Sequence, residues 1–356
     1  MRATHWRIEK DNDIMKVQLI RSVKEDTTEK TGIGYYADYL EDLLEDMGSE
    51  VETIPIDLGF KSGIGKALYE MIAQIVKMMK GRKDTQIVHV TADQWSLFLP
   101  FANGKRIVTF HHVVKRSEIN TIFWGSVCRL SVMIARLFAD EFIAISPLTK
   151  KEMVEYFNIP AEKITVAIHP PKSEMYRENV SKEKVVAFVG SLINRKNPDV
   201  AVKVFGEMLK KPEFLGYKLI MCGSGHCKEK IDDLISEMGL AGSVEIINNL
   251  SVEEIRMLYS KSRFLLNTSS FEGLGITTLE AQMCGTPVLY FEDAEMPPEV
   301  MVAAIPCRDV TDMVDKAAEL IADSARMTEV IDFGMKYSTE FGKDYKEKLK
   351  YVYNKN

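Results

Sequence analysis

The sequence lacks a long apolar run: no uncharged stretch approaches the roughly 20 residues that a membrane-spanning helix needs. No signal-peptide pattern opens the chain, so the sequence predicts a cytoplasmic protein. Cysteine is scarce, with five residues in 356, and the number is odd. We therefore expect free thiols in a reducing compartment rather than a disulfide scaffold. The cysteines are Cys128, Cys222, Cys227, Cys284 and Cys307.

An excess of basic residues is missing as well. The net charge of −6 and the pI near 5.7 argue against nucleic acid as the main partner. The fragment from Cys222 to Cys227 (C-G-S-G-H-C) has no second ligand cluster elsewhere in the chain, so we expect no metal site. The hydrophobic content of 46% and charged content of 28% are typical of a soluble globular protein.

The length of 356 residues exceeds one comfortable core and predicts two domains. Short apolar runs that suit buried strands alternate with helical patterns through both halves, which predicts two doubly wound, Rossmann-like α/β domains. Such runs include residues 87–90, 244–247 and 288–291. A stretch rich in proline, glutamate, lysine and serine over 170–184 predicts the boundary between the domains.

The most informative stretch is Ser269 to Val288, which reads S-S-F-E-G-L-G-I-T-T-L-E-A-Q-M-C-G-T-P-V. The apolar run 263–266 before it suits a buried parallel strand. A helical pattern over 277–284 follows, and Gly285 stands where a helix end favours a positive φ. The loop between strand and helix therefore lies at the carboxyl end of a strand, where open α/β sheets bind ligands.

The loop chemistry suits a phosphate. Gly273 and Gly275 allow backbone N–H groups to approach an anion, and the helix N-terminus adds positive potential. Glu272 and Glu280 flank this turn and could hold hydroxyl groups on both sides of a diphosphate. The alternative is that both are ordinary charged residues. Glu280 has apolar neighbours in its helix, so an exposed face is hard to find for it, and a buried charge needs partners.

This stretch resembles the E-x7-E signature of retaining glycosyltransferases with the GT-B fold, the group 1 glycosyl transferases that include mannosyltransferases. The matching pattern is S-x-x-E-G-x-G-x-x-x-x-E-A-x-x-x-G-x-P-V. The resemblance implies two Rossmann-like domains facing each other across a cleft. It further implies transfer of a hexose from a UDP- or GDP-sugar, with retention, to a saccharide or lipid-linked acceptor. No metal or other cofactor is expected.

A second loop, at the end of the strand over 184–189, carries Gly190, Arg195 and Lys196. Cations beside a glycine turn suit a diphosphate leaving group. The resemblance assigns Arg195 and Lys196 to that diphosphate, although Ser191 stands where many relatives carry their arginine. The alternative is that both are surface cations. The resemblance also implies that Glu272 holds sugar hydroxyls and Glu280 the ribose. The remaining donor-binding residues that it implies are Asn248, Gly273, Leu274, Gly275 and Ile276.

In the first domain the resemblance implies that Gly32 and Gly34 face the donor phosphates and that His111 lies near the transferred sugar. A histidine at the carboxyl end of a strand can face a ligand, and the alternative is a structural histidine with its own partners. The family's usual Asn-Gly near the end of this domain is replaced by His169-Pro170-Pro171, which is a departure in the interdomain linker.

We predict an acceptor-side domain over 1–175, a nucleotide-sugar domain over 176–340, and a helix over 341–356 that returns to the first domain, as in the family. Residues 63–83 predict a helix with a lysine-rich side. That helix either faces the core or lies on an anionic membrane surface, which would make the protein peripheral to the membrane.

Three other functions fit the same fold. A nucleotide-sugar epimerase would act without an acceptor, a phosphorylase would need a lysine-bound pyridoxal cofactor, and a non-catalytic scaffold would bind no donor. The joint presence of Arg195, Lys196, Glu272 and Glu280 argues against the scaffold. The sequence does not name the sugar, the base or the acceptor.

Overall fold

The computed structural model describes residues 14–22, 32–56, 73, 84–112 and 122–355. The chain divides into two compact units, of which unit 1 is Met1–His169 with Lys343–Asn356 and unit 2 is Pro170–Gly342. Apart from Ala73, the predicted basic helix over 63–83 lies outside the described residues.

Unit 1 is built on a six-stranded sheet in the order β2-β1-β3-β4-β5-β6, in which every pairing is parallel. The strands are β1 Lys16–Ser22, β2 Glu50–Ile56, β3 Ile87–Val90, β4 Lys105–Phe110, β5 Glu141–Ala144 and β6 Ile164–Val166. Strands β3 and β5 are buried at every position, because parallel sheets are covered on both faces.

In the described ranges, the helices of unit 1 that precede the boundary and have both ends described are α1 Gly32–Asp46, α2 Ile122–Phe138 and α3 Pro147–Phe157. A 3₁₀ segment, Asp93–Phe101, follows β3. Helix α1 buries Ala37, Leu40 and Leu44 on one face, as a period of 3.6 residues predicts. Helix α3 begins after Ser146, whose hydroxyl oxygen accepts a hydrogen bond from the N–H of Thr149.

Unit 2 repeats the scheme with a six-stranded sheet in the order β12-β11-β10-β7-β8-β9, again with parallel pairing throughout. The strands are β7 Val185–Val189, β8 Lys218–Cys222, β9 Val244–Ile247, β10 Phe264–Asn267, β11 Val288–Phe291 and β12 Ile305–Cys307. The helices are α4 Pro198–Met208, α5 Lys228–Glu237, α6 Val252–Lys261, α7 Ile276–Met283, α8 Pro298–Met301, α9 Val310–Ala322 and α10 Ser324–Glu340.

The last helix, α11 Tyr345–Asn354, belongs to unit 1. Tyr345, Leu349 and Val352 are fully buried in the same core cluster as Leu19 of β1. The side chain of Lys105 donates to the carbonyl oxygens at the carboxyl end of the helix, where a cation also stabilises the helix dipole. The polypeptide therefore leaves unit 1, forms unit 2 and returns to complete the first core.

Both sheets have a point at which the strand order reverses. In unit 2 the chain proceeds outward from β7 through β8 to β9, and then resumes on the opposite side of β7 with β10. The loops after β7 and β10 therefore lie side by side at a topological switch point, where ligands bind in open α/β sheets. In the described residues no helix is long and apolar enough to cross a bilayer. All five cysteines are free thiols.

Candidate active site

The two loops at the switch point of unit 2 are joined by hydrogen bonds. The side-chain amide of Asn197 donates to the carbonyl oxygen of Thr268 at 3.1 Å. The Thr268 hydroxyl donates in return to the carbonyl oxygens of Lys196 and Asn197, both at 2.9 Å. The N–H of Ser270 donates to the carbonyl oxygen of Arg195 at 2.9 Å. These bonds fix the loop that carries the predicted cations against the loop that carries Glu272.

Glu272 is the centre of the cluster that results. Arg195 donates from Nη1 to Oε2 of this carboxylate at 2.8 Å, and Lys196 donates from Nζ to Oε1. Ser269 donates its hydroxyl to the same Oε1 at 2.7 Å. The Arg195 guanidinium also lies 5.1 Å from the ring centroid of Phe271. The structure thus brings together the three residues that sequence analysis assigned to diphosphate and sugar.

The charges in this cluster decide the ionisation of Glu272. Burial alone would raise the pKa of the carboxyl, which is only 8% exposed. The charges of Lys196 and Arg195, with the hydrogen bonds from Lys196 and Ser269, outweigh burial and lower the pKa to about 2. Glu272 is therefore an anion at neutral pH that neutralises part of the positive charge of its two partners.

Helix α7 begins directly beside this cluster. Gly275 precedes its first residue with φ +81°, a backbone conformation that a residue with a side chain adopts only with strain. In the described part of the chain, the N–H groups of residues 273–276 donate to no acceptor. The first turn of a helix leaves such donors unused and adds positive potential, and both features attract an anion.

Gly190 closes the other side of the cluster. A Cβ atom placed on Gly190 would lie 3.5 Å from Cε of Lys196, so this backbone borders the lysine side chain directly. Gly223, at the end of β8, approaches still closer: a Cβ there would lie 2.0 Å from the carbonyl oxygen of Gly190. Only glycine permits that approach, which explains why the first residue after β8 is a glycine.

Glu280 lies one turn into α7 and is 5% exposed. It is therefore not an ordinary charge on an exposed helix face. Lys172 is its cation, with Nζ 3.7 Å from Oε1. Burial raises the pKa of Glu280 above its usual value, and the charge of Lys172 opposes that rise. Asn248 lies apart from this group, exposed at the carboxyl end of the edge strand β9.

His111, the histidine predicted for unit 1, has its own hydrogen-bond and ring contacts in that unit. His111 follows β4 and is 7% exposed. Its Nε2 lies 2.8 Å from the carbonyl oxygen of Thr91, and the ring of Tyr36 stands edge-on at 4.8 Å between centroids. Burial lowers the pKa of His111 to about 3, against the opposing effect of the bond to Thr91. The imidazole is therefore neutral at pH 7, donates from Nε2 and keeps Nδ1 as an acceptor.

The two glycines predicted for unit 1 open helix α1, with Gly32 as its first residue and Gly34 in its first turn. Among the described residues, a Cβ on Gly32 would meet no other heavy atom within 4 Å. The role of both glycines toward the donor phosphates stays a prediction.

Sequence analysis missed two partners of the predicted residues. Ser269 orients Glu272 and could have been suspected from its place in the same loop. Lys172 faces Glu280 from more than a hundred positions away, and no local pattern indicates that contact.

The chain is similar in sequence to known glycosyltransferases. Residues 172–336 match the family model of glycosyl transferases group 1. An uncharacterized glycosyltransferase of Methanocaldococcus jannaschii is 26% identical over 164 residues, which are 42% of this chain and 41% of that protein. The O-antigen chain mannosyltransferase RfbU of Salmonella typhimurium is 24% identical over 212 residues, or 54% of this chain and 58% of that protein. The chain spans about half the length of these curated relatives.

The solved structures extend the similarity to both units. The Anabaena protein HepE, solved in complex with UDP and glucose, is similar with a TM-score of 0.76 and 14% identity, over 96% of this chain and 100% of that chain. At this identity the likeness concerns the fold. The chain therefore has the GT-B fold of two Rossmann-like domains, and the match to the group 1 glycosyl transferases lies within its second domain.

Proposed function

We propose that the protein is a retaining glycosyltransferase that moves a hexose from a UDP- or GDP-sugar to a saccharide or lipid-linked acceptor. The observation that carries this proposal is the cluster of Arg195, Lys196 and Glu272 beside the N-terminus of α7, at the switch point of unit 2. Its cations and backbone donors suit a diphosphate, and its carboxylate suits sugar hydroxyls. The match of unit 2 to a glycosyl transferase family supports the same function.

Departure of a nucleoside diphosphate leaves negative charge on the phosphate oxygens as the glycosidic bond breaks. Donors fixed in place before the reaction stabilise such charge without reorganising. Arg195 and Lys196 are held by the loop hydrogen bonds and by Glu272. Together with the N–H groups of residues 273–276 they would take the part that a metal ion plays in other transferases. We therefore propose that no metal or other cofactor is required.

Three residues have proposed roles on the sugar and the ribose of the donor. The Glu272 carboxylate accepts hydrogen bonds from sugar hydroxyls, and Glu280 accepts those of the ribose. His111 would contact the transferred sugar, as the family resemblance implies, and its neutral imidazole suits a hydrogen bond at Nδ1 rather than a charge. HepE was solved with UDP and glucose bound, and RfbU is named a mannosyltransferase, which supports a hexose donor.

The acceptor and the location of the protein stay predictions. Apart from Ala73, the helix over 63–83 that suggested a membrane contact lies outside the described residues.

The first test is nucleotide binding. UDP, GDP, ADP and their common sugar conjugates are added to the wild type and to an Arg195→Ala, Lys196→Ala double variant in a thermal-shift assay. A ligand present at 100 times its dissociation constant stabilises the folded protein by about 2.7 kcal/mol. We expect one base to stabilise the wild type and the double variant to lose that effect. Lys203→Ala and Lys210→Ala, which remove exposed lysines of unit 2, form the matched control.

Transfer itself is then measured with the stabilising nucleotide-sugar. We expect sugar release or transfer with the anomeric configuration of the donor retained, as seen by NMR, and a rate that EDTA does not change. A wild type that binds no nucleotide favours the scaffold, and a change of sugar without an acceptor favours an epimerase. Full transfer by the double variant contradicts the diphosphate assignment.

A further inference from the structure

The chain enters unit 2 through residues 170–184, the entering segment, which precede β7. Lys172 lies in this segment and contacts Glu280. Its Nζ is 3.7 Å from Oε1 of the carboxylate, with the Lys172 side chain 19% exposed and that of Glu280 6% exposed. A separation of this length is an ion pair rather than a hydrogen bond. At low exposure the two charges are screened little by solvent, so Lys172 has a large influence on the ionisation of Glu280.

The entering segment is held in place by one arginine of α6. Arg256 donates from Nε to a carboxylate oxygen of Glu178 at 2.7 Å and from Nη1 to the carbonyl oxygen of Glu174 at 3.1 Å. Its guanidinium also lies 4.3 Å from the ring centroid of Tyr176. These contacts follow Lys172 within a few residues. They fix the backbone of the segment and so help to hold Lys172 beside Glu280.

A third polar group lies near the same carboxylate. Tyr259 of α6 is fully buried, and its hydroxyl has no hydrogen-bond partner in the described part of the chain. Burial raises the pKa of Tyr259, and the charge of Glu280 raises it further, which places the hydroxyl within electrostatic range of the carboxylate. A buried hydroxyl without a partner costs free energy of folding, and such groups are uncommon in native proteins.

We propose that Lys172 is a positioning and specificity residue of the nucleotide site: it keeps Glu280 ionised and oriented, so that the carboxylate accepts both ribose hydroxyls. This inference rests on the proposed function, because it takes the ribose as the ligand of Glu280. It adds a residue from the entering segment to a site that is otherwise built by the loops after β7 and β10.

Among the residues that the structure describes, four charged or titratable groups act on or respond to the charge of Glu280. Lys172 and Glu174 lie in the entering segment, Tyr259 in α6, and Cys284 directly after the last residue of α7. Burial raises the pKa of Glu280, Lys172 is the cation that lowers it, and Glu174 raises it. Without Lys172 the pKa rises further. Protonation removes acceptor capacity, so affinity for a ribonucleotide falls as the pH falls, and the fall begins at a higher pH without Lys172.

The test compares UDP with 2′,3′-dideoxy-UDP by calorimetric titration between about pH 5 and pH 8, with the corresponding guanosine pair if GDP is the nucleotide that stabilises the wild type. The phosphate groups, whose second pKa is about 6, titrate alike in both ligands and cancel in the ratio of affinities. We expect the wild type to bind UDP about tenfold more tightly than the dideoxy analogue, because a hydrogen bond to a charged group contributes about this much to affinity. Glu280→Gln should show little preference at any pH.

Lys172→Met should lose most of the preference at the acid end and regain it at the alkaline end, whereas Lys172→Arg should keep the wild-type profile. Lys184→Met, which removes an exposed lysine of the same segment, is the control and should change nothing. A Lys172→Met variant that keeps the wild-type ratio at every pH overturns the inference while leaving the proposed function intact. A wild type that binds neither UDP nor GDP overturns both.

Discussion

At the scale of single residues, Glu272 has two tasks that oppose each other. Its carboxylate holds Arg195 and Lys196 in place, yet the same cations are the proposed partners of the donor diphosphate. A diphosphate must therefore share them with Glu272 rather than meet unengaged cations. Buried charges are costly without partners, so the two cations are stable in this cluster only when negative charge is present beside them.

Glu272→Gln tests this balance. The pKa of Glu272 is about 2 in the folded protein and near 4.3 in an unfolded chain. The ionised carboxylate therefore stabilises the folded protein fully above about pH 4.3, and this stabilisation is lost as the pH falls toward 2. We expect the variant to be less stable by about 2 kcal/mol at pH 7, the range for hydrogen bonds to charged groups, and the difference to shrink below about pH 4. Denaturant unfolding across pH measures it.

Glu237→Gln, an exposed glutamate on α5, is the control and should change stability little at any pH. Equal stability of Glu272→Gln and the wild type at pH 7 would show that the cluster does not stabilise unit 2.

At the scale of elements, α11 is attached to unit 1 by a buried chain of hydrogen bonds as well as by its apolar face. His89 of β3 bonds Tyr353 at 2.7 Å and Thr109 at 2.8 Å through its two ring nitrogens. Thr109 continues to the hydroxyl of Tyr36, and Tyr36 to that of Tyr345, each at 2.9 Å. Burial lowers the pKa of His89 to about 3, so the ring is neutral and one nitrogen must accept.

Tyr353→Phe removes one end of this chain and leaves a buried ring nitrogen of His89 without its partner. We expect a loss of about 2 kcal/mol in the free energy of unfolding, the usual cost of an unsatisfied buried polar group. Tyr351→Phe is the matched control on the same helix, because Tyr351 is 59% exposed. Its free energy of unfolding should stay close to that of the wild type. Equal effects of the two substitutions would contradict a role for the buried network.

The elements also show what sequence could predict. The strands over 87–90, 244–247 and 288–291 were predicted with the bounds that they have, because each is a short, mostly apolar run. Helix α7 begins one residue earlier than predicted. The family resemblance also predicted that Arg195 and Glu272 belong to one site, and the two side chains are in contact. The bonds of His89 and Tyr353 join residues 264 positions apart, and only the folded chain brings them together.

At the scale of the whole molecule, unit 2 holds the charged residues that we propose for the diphosphate and the ribose. Arg195, Lys196, Glu272, Glu280 and Lys172 all lie between Pro170 and Gly342, which also hold one contiguous core cluster. We expect a fragment of residues 170–342 to fold and to bind UDP or GDP within about tenfold of the full chain, a difference of about 1.4 kcal/mol. Circular dichroism and titration measure both properties.

The matched fragment ends at residue 342 but begins at residue 1, so it lacks α11. It should keep nucleotide binding and lose the cooperative unfolding of unit 1, because Tyr345, Leu349 and Val352 leave a large gap in that core. A folded 170–342 fragment without affinity for either nucleotide would show that unit 2 alone does not form the site.

The return of the chain to unit 1 has a consequence for synthesis on the ribosome. Polypeptide emerges from its amino terminus, and domains generally fold as they become complete. Unit 2 is complete once Gly342 has emerged, whereas unit 1, although most of it is made first, must wait for Asn354 at the end of α11. During that interval the apolar surface that Tyr345 and Leu349 later cover is exposed, so the nascent chain is most vulnerable to aggregation in the half that was translated earliest.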